Sequence, residues 1–196
     1  MNTLARRFHP QRIRRTLGAA SCVRERAAFV ANELRDARRT RQYRLRNSGL
    51  FTQVRHPLLD MWGVEEMFRF RVYEPPPPVA RALSTLQRPI RIADIGGHVG
   101  FFALFMRQLF PDAHIVSFEP DPDNGRLLKR NIEANRLQDR WELVEASAAT
   151  TDGTVEFASS YHLSRMNPPS DRPLEEMERR ISAAFPFMEG TALLQP

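Results

Sequence analysis

The chain has 196 residues, of which 42% are hydrophobic and 27% are charged, a composition typical of a globular domain that excludes a collagen-like or wholly disordered chain. No apolar run approaches the roughly 18 residues that cross a bilayer, and no apolar segment follows the basic N-terminus as in a secretory signal. The single cysteine, Cys22, excludes an internal disulfide and a zinc site built from several cysteines. These features favour a cytoplasmic protein.

Positive charge is concentrated in residues 1–46. This segment holds 13 arginines against three acidic residues, a net of +10, whereas the whole chain carries +6. Such a block can meet phosphates, anionic lipids or acidic proteins. It contains neither a zinc finger nor interleaved aromatic residues, so we predict no specific nucleic-acid partner. We expect a solvated Arg-rich arm with a helix over residues 24–39, where apolar residues recur with helical spacing.

Residues 47–89 form a preamble to the best-organised part of the chain. Phe68, Phe70 and Val72 alternate with more polar residues, which predicts a half-buried strand. The four prolines at 75–78 end any regular element, and a short helix is predicted over 79–86.

Residues 90–157 predict strands that alternate with helices, as in a parallel α/β sheet. Right-handed crossovers would place the first three strands in the order third, second, first. The dipeptide Asp152-Gly153 predicts a tight turn before the fourth strand. Residues 158–196 show a loop and one amphipathic helix over 170–184. The predicted strands are 90–95, 114–118, 141–146 and 154–157, and the helices between them are 101–110 and 124–135.

The most informative motif is a glycine-rich turn, Asp94-Ile-Gly-Gly-His-Val-Gly100, between the first strand and the first helix of this region. A turn of this kind allows a ligand to approach the backbone closely. Glu119 lies 19 residues after Gly100, at the end of the next strand, where a carboxylate can accept hydrogen bonds from both ribose hydroxyls. The pattern therefore predicts a ligand that contains a nucleoside.

The charge of Asp94 discriminates between nucleoside ligands. The dinucleotide pattern G-x-G-x-x-G is broken at His98, and no Gly-Lys-Ser/Thr triplet of a P-loop is present. A carboxylate at the turn would repel a pyrophosphate and attract a sulfonium or an ammonium, by about 4 kcal/mol at 4 Å and an effective dielectric of 20 before desolvation. This favours S-adenosylmethionine over NAD, and an NAD-dependent oxidoreductase is the less favoured alternative.

Several segments together resemble the FkbM family of class I S-adenosylmethionine-dependent methyltransferases. They are Asp94 to Gly100, Phe118-Glu-Pro120, Asn131-Ile132 with Asn135, Asp152-Gly153 before Phe157, and the upstream Tyr73-Glu-Pro75. The resemblance covers residues 73–157. It implies an α/β fold, the Rossmann-like three-layer sandwich of these enzymes. It also implies transfer of a methyl group to a hydroxyl of a sugar or secondary metabolite, so the expected partner is a small-molecule or glycan acceptor.

The resemblance also implies a set of residues that bind the cofactor. Asp94 and the backbone of the glycine turn would face its methionine part, Glu119 would bind the ribose, and Ser147 would lie near the adenine. The complete set is Asp94, Gly96, Gly97, His98, Gly100, Glu119 and Ser147.

The catalytic residues are left open, with His98 and His162 as candidates for a general base. A structural or cofactor-packing role is the alternative for His98. The remaining histidines are too scattered to predict a metal site. Asn131 and Asn135, one helical turn apart, either order the loop below the ribose or face solvent.

The sequence departs from the family after residue 158. The family continues with a strand rich in Asp, Lys and Glu-Gly on the acceptor side, and nothing similar precedes Pro196. The predicted first strand would then be a sheet edge with an unpaired backbone. We expect an incomplete fold, preferably explained by a fragment. A partner or second copy that completes the sheet, and coverage of the edge by residues 47–89, are the alternatives. A non-catalytic remnant or a partner-dependent cofactor-binding module is thus the second functional hypothesis.

Overall fold

The computed structural model describes residues 9–35, 38–57, 60–147, 157–158 and 165–166. The chain divides into two compact units, one of residues 15–150 and one of residues 1–14 together with 151–196. No helix in these described ranges is long and apolar enough to cross a membrane.

The N-terminal part of the large unit is a set of helices around a two-stranded antiparallel sheet. The first helix, α1 (Pro10–Ala20), begins before residue 15, where the large unit starts. The π-helix Glu65–Phe70 continues α3 (Met61–Val64) without a break. The elements are α1 (Pro10–Ala20), α2 (Arg26–Glu33), β1 (Arg39–Arg44), β2 (Phe51–His56), α3 (Met61–Val64) and α4 (Pro77–Ser84).

The second part of the large unit is a three-stranded parallel sheet with two helices. Its elements are β3 (Arg91–Ile95), α5 (Phe101–Leu109), β4 (His114–Phe118), α6 (Pro122–Ala134) and β5 (Trp141–Val144). The strand order is β3-β4-β5, with Asp94 paired to Ser117 and Ile115 to Trp141. This confirms the predicted order third, second, first and the parallel α/β arrangement.

Helix α5 begins at residue 101, as the sequence predicts, and α6 begins two residues before its predicted start at 124. Gly100 is the N-cap of α5, which buries Phe101, Leu104 and Phe105. Asp121 caps α6, because its side chain accepts hydrogen bonds from two backbone N–H groups of the first turn, and Pro122 occupies the first helical position.

The described part of the Arg-rich segment is not a solvated arm. Helix α2 is shorter than the prediction for residues 24–39, and residues 39–44 form β1, which pairs with β2. Phe29 and Tyr43 are buried, with ring centroids 5.1 Å apart. The sequence does not predict β1, because the residues of this strand, Arg-Thr-Arg-Gln-Tyr-Arg, show no apolar alternation.

The predicted strand around Phe68 is wrong, since this residue belongs to the π-helix Glu65–Phe70. Helical spacing buries Met67 and Phe68, and the Phe68 ring lies 6.3 Å from those of Phe101 and Phe105. The alternating residues Phe70 and Val72 are instead exposed. Three apolar residues at alternate positions are too short a pattern to separate a strand from one face of a helix.

The outer edge of the parallel sheet is β3. No described strand pairs with that edge, and β1 and β2 form a sheet of their own. The side chain of Ile95 is 70% exposed and that of Ala93 is also exposed. The small unit contains, in its described residues, a short antiparallel pair of β6 (Phe157–Ala158) and β7 (Arg165–Met166). The predicted turn at 152–153 and helix at 170–184 lie outside the described residues.

Candidate functional site

The glycine turn joins β3 to α5 and is held by backbone hydrogen bonds. The N–H groups of Gly96 and Gly97 both donate to the carbonyl of Phe118, each over 2.9 Å, and the N–H of Gly100 donates to the carbonyl of Gly97. Gly96, His98 and Gly100 have φ values of 83°, 49° and 91°. Two of these three left-handed positions are glycines, which adopt that conformation without strain.

At two of the turn's positions, close packing also requires a residue without a side chain. A Cβ atom at Gly100 would lie 2.7 Å from the Trp141 ring, and one at Gly97 would lie 2.9 Å from the Cβ of Ser117. A Cβ at Gly96 would meet nothing within 4 Å. The close approach of β4 therefore explains a glycine at position 97.

Asp94 is a buried carboxylate at the end of β3. Its side chain accepts a 2.8 Å hydrogen bond from the hydroxyl of Ser117, which in turn accepts one of 2.9 Å from the indole N–H of Trp141. Burial raises the pKa of Asp94 above its ordinary value, and the hydrogen bond from Ser117 opposes this effect. The chain of hydrogen bonds from Trp141 fixes the orientation of the carboxylate.

Glu119 lies beneath the turn and is also buried. Its Oε2 accepts a 2.6 Å hydrogen bond from the backbone N–H of His98, and its Oε1 accepts one of 2.9 Å from the N–H of Asp121. The carboxylate thus links His98, the left-handed residue of the turn that is not a glycine, to the start of α6. Oε1 also accepts a 3.4 Å hydrogen bond from Nδ2 of Asn124, so the acceptor capacity left for a ligand is on Oε2.

A cavity of about 320 Å³ opens at the turn, a volume within the range of small-molecule sites. Four of the predicted residues line it, whereas Gly100, Glu119 and Ser147 are not among its described lining residues. Ser147 is half-buried after β5. His162 lies outside the described residues. The lining comprises Gly63, Met67, Tyr73, Ala93, Asp94, Ile95, Gly96, Gly97, His98, Phe101 and Phe102.

A polar network from β2, which the sequence does not predict, reaches the turn. The guanidinium of Arg55 donates to both carboxylate oxygens of Asp60, to Oδ1 of Asn124 over 2.8 Å and to Nε2 of His98 over 2.8 Å. Asp60 is fully buried. The chain contains many arginines, and no motif surrounds Arg55, so the sequence alone does not distinguish this arginine from the others.

His98 has a lowered pKa, chiefly because burial disfavours its charged form. Asp60 raises this pKa, with Oδ1 3.9 Å from Nε2, and Arg55 lowers it. Because an arginine has only donors, Nε2 of His98 must accept the hydrogen bond and carry no proton.

Asn131 of α6 ties the turn to β2, and Asn135, the C-cap of this helix, also binds β2. Oδ1 of Asn131 accepts from the N–H of Gln53, and its Nδ2 donates to the carbonyl of Val99 in the turn, both over 2.7 Å. Asn135 accepts from the N–H of Phe51 and donates to its carbonyl. Of the two alternatives, ordering a loop or facing solvent, the structure shows a buried Asn131 with an ordering contact.

Among the described residues, no group of three or more His, Cys, Asp or Glu side chains is placed to hold a metal ion. The site therefore offers a buried, oriented carboxylate, a turn without side-chain bulk and apolar walls. Tyr73 and Phe102 contribute to these walls, with ring centroids 5.5 Å apart. This combination suits a ligand that carries both a cation and apolar parts.

Comparison with known proteins points to methyltransferases. The chain is 31% identical over 64 residues to the methyltransferase sdnD of Sordaria araneosa, which is 33% of this chain and 25% of that protein. It is 38% identical over 55 residues to the O-methyltransferase imqG of Aspergillus flavus, or 28% and 22% of the two chains. It is 33% identical over 100 residues to the type II methyltransferase M.XamI of Xanthomonas campestris pv. amaranthicola, or 50% and 19%.

The chain thus spans about a quarter or less of the length of these curated relatives. No family model matches it. Among solved structures, it is similar to a SAM-dependent methyltransferase from Agrobacterium tumefaciens, with a TM-score of 0.42 and 16% identity over 56% of this chain and 33% of that one.

Proposed function

We propose that the chain binds S-adenosylmethionine and belongs to a methyltransferase of the FkbM type, which methylates a hydroxyl oxygen of a sugar or other small molecule. The observation that carries the proposal is the buried Asp94 carboxylate, oriented by Ser117, in a cavity beside a glycine turn. The methyltransferase relatives support the activity, and one of them is an O-methyltransferase.

The charge of the cavity supports this ligand over a dinucleotide. A carboxylate with low exposure interacts with a nearby cation more strongly than it would in water, and it repels a pyrophosphate by the same rule. The N–H groups of Gly96, Gly97 and His98 already donate within the protein. A pyrophosphate at this turn would therefore compete with existing hydrogen bonds, whereas a sulfonium or ammonium needs none of them.

The residues present fit the cofactor. Asp94 and the turn from Gly96 to Gly100 would hold its methionine part, while Glu119 would bind the ribose and Ser147 would lie beside the adenine. When bound, S-adenosylmethionine supplies a methyl group on a sulfonium, which is already activated for transfer. The protein's part is to align donor and acceptor and to exclude water. Alignment of this kind can lower the activation barrier by roughly 7–11 kcal/mol.

His98 does not fit the role of general base in the described arrangement. A base must have a free nitrogen lone pair, and the lone pair on Nε2 already accepts the hydrogen bond from Arg55. We therefore assign His98 to ligand binding and leave the acceptor to be deprotonated by a group other than this imidazole.

Calorimetric titration of the full chain with S-adenosylmethionine, S-adenosylhomocysteine and NAD tests the proposal. We expect both adenosyl compounds to bind and NAD not to bind. Asp94→Asn should weaken the binding of S-adenosylmethionine at least tenfold, because the substitution removes the negative charge opposite the sulfonium and keeps the side-chain shape. Asp112→Asn, a change at an exposed carboxylate of the loop before β4, is the matched control and should bind normally.

A folded chain that binds NAD, or that binds none of the three compounds, would contradict the proposal. Binding without turnover in a screen of hydroxyl-bearing acceptors would instead support the second hypothesis, a cofactor-binding module without catalysis of its own.

A further inference from the structure

The hydrogen bond from Arg55 fixes the role of one nitrogen of the His98 imidazole, Nε2, and the other nitrogen, Nδ1, has no hydrogen-bond partner among the described residues. Arg55 donates to Nε2 over 2.8 Å, so a neutral ring must carry its proton on Nδ1. Among the residues that the structure describes, none accepts a hydrogen bond from Nδ1. The ring also lines the cavity that contains Asp94.

The guanidinium that fixes this tautomer is itself held rigidly. Its Nε and Nη2 donate to the buried carboxylate of Asp60, its Nη1 donates to Asn124, and the backbone N–H of Arg55 donates to Asp60 over 2.7 Å. Arg55 therefore cannot turn away from His98 without leaving a buried charge unpaired, which is strongly unfavourable.

The charges around His98 keep it neutral near pH 7. Burial and the Arg55 cation lower its pKa, while Asp60, Glu119 and Asp121 oppose them. The net direction is downward from the ordinary value of 6.5. A neutral Nδ1–H is a hydrogen-bond donor and cannot accept a proton at that nitrogen, so this end of the ring suits a ligand oxygen.

We propose that Arg55 is a positioning residue that presents Nδ1–H of His98 to the carboxylate of the cofactor's amino-acid end, while Asp94 faces the positive charge of the same ligand. The inference rests on the proposed function, since the ligand is S-adenosylmethionine or its product. It makes His98 a binding residue selective for the amino-acid part.

A pair of ligands isolates this contact. S-adenosylhomocysteine carries the amino-acid end, and methylthioadenosine has the same nucleoside and thioether without it. We expect His98→Gly to weaken S-adenosylhomocysteine about tenfold, the usual effect of one lost hydrogen bond to a charged group, and to leave methylthioadenosine unchanged. His98→Asn should retain much of the affinity, because it keeps an N–H donor.

Both variants suit the backbone at this position. His98 has a φ of 49°, and glycine and asparagine adopt this conformation more readily than other residues do. Equal weakening of the two ligands in His98→Gly, or no weakening of either, would overturn the inference while the proposed function stands. If neither ligand binds the wild-type chain, the proposed function fails and this inference fails with it.

Nuclear magnetic resonance of the unliganded wild-type chain, labelled with ¹⁵N at histidine, gives a readout without any ligand. The spectrum of His98→Asn identifies the His98 signals. We expect the Nδ1–H tautomer, unchanged between pH 6.5 and 8 because the Arg55 bond and the lowered pKa favour it. Arg55→Lys, which keeps a cation beside Asp60, should convert it to a mixture of tautomers. An Nε2–H tautomer in the wild type would overturn the proposal.

Discussion

The two halves of the large unit contribute to the same site in different ways. The parallel sheet with α5 and α6 supplies the glycine turn and Asp94, and its sequence carries a motif that can be recognised. The β1–β2 half carries no motif, yet Arg55 and Asp60 brace the turn from the side. A motif that shapes the backbone therefore describes only part of the site, because the side chains that hold the turn in place lie on neighbouring elements.

The strongest test of this comparison is Asp60→Ala. Removing the buried carboxylate leaves the Arg55 guanidinium without its partner, which should lower the free energy of unfolding by about 3–5 kcal/mol. Urea denaturation followed by circular dichroism measures the change. The control Asp112→Ala breaks an exposed pair with Arg140 and should cost less than about 1 kcal/mol. Equal small effects would show that the β1–β2 half does not support the turn.

Within the turn itself, Gly100→Ala should have a large effect. A Cβ there would meet Trp141 at 2.7 Å and the residue has a φ of 91°, so overpacking and backbone strain together should cost about 3 kcal/mol. Gly96→Ala has a similar φ of 83° but an open surrounding, so strain alone should cost about 1 kcal/mol. If the two variants unfold at the same urea concentration, the close contact with Trp141 is not a constraint.

The link between the two halves can be weakened with Asn131→Ala. This change leaves the N–H of Gln53 and the carbonyl of Val99 without their partner, which should cost about 2 kcal/mol. Lys129→Ala, an exposed position on the same helix, is the control and should be near neutral. Thermal unfolding of both variants gives the comparison, and an equal loss of stability in the control would show that the loss does not come from the hydrogen bonds of Asn131.

The smallest expected effect on stability is that of Asp94→Asn. Burial raises the pKa of the native carboxyl above its ordinary value of 3.8, so the native state binds a proton more tightly than the unfolded state does. The ionised wild type therefore pays a penalty at neutral pH that disappears as the pH falls through the native pKa. Asp94→Asn should be at least as stable as the wild type at pH 7, and it should lose any advantage at acidic pH.

Melting temperatures at several pH values check this sign. If the variant melts below the wild type at pH 7 and this difference shrinks on acidification, the ionised carboxylate stabilises the unliganded protein. That result would contradict a site whose buried negative charge needs a cationic ligand.

The sheet order and the glycine turn could be predicted because each depends on local sequence, and the sequence offered Asp121 and Asp123 as the two candidates for the cap of α6. Alternating strand and helix patterns fix a parallel order, glycine marks the left-handed positions, and an aspartate before a helix accepts its first N–H groups. These are short-range rules that a single sequence expresses directly.

The side-chain support could not be predicted, for two physical reasons. Arg55 and His98 are 43 positions apart, and their contact depends on how β2 packs beside the turn, which no local pattern specifies. The π-helix around Phe68 was predicted as a strand because burial against Phe101 and Phe105, a tertiary effect, determines its conformation. The cofactor roles of all the predicted binding residues, Asp94, Gly96, Gly97, His98, Gly100, Glu119 and Ser147, remain predictions.

The contacts of β2 also have a consequence for how this protein behaves at high concentration. The backbone N–H groups of Phe51, Gln53 and Arg55 point away from β1, and side-chain oxygens of Asn135, Asn131 and Asp60 accept all three. A strand edge closed in this way cannot recruit a strand from another molecule, which is a common route to aggregation. The outer edge of β3 has no such closure among the described residues.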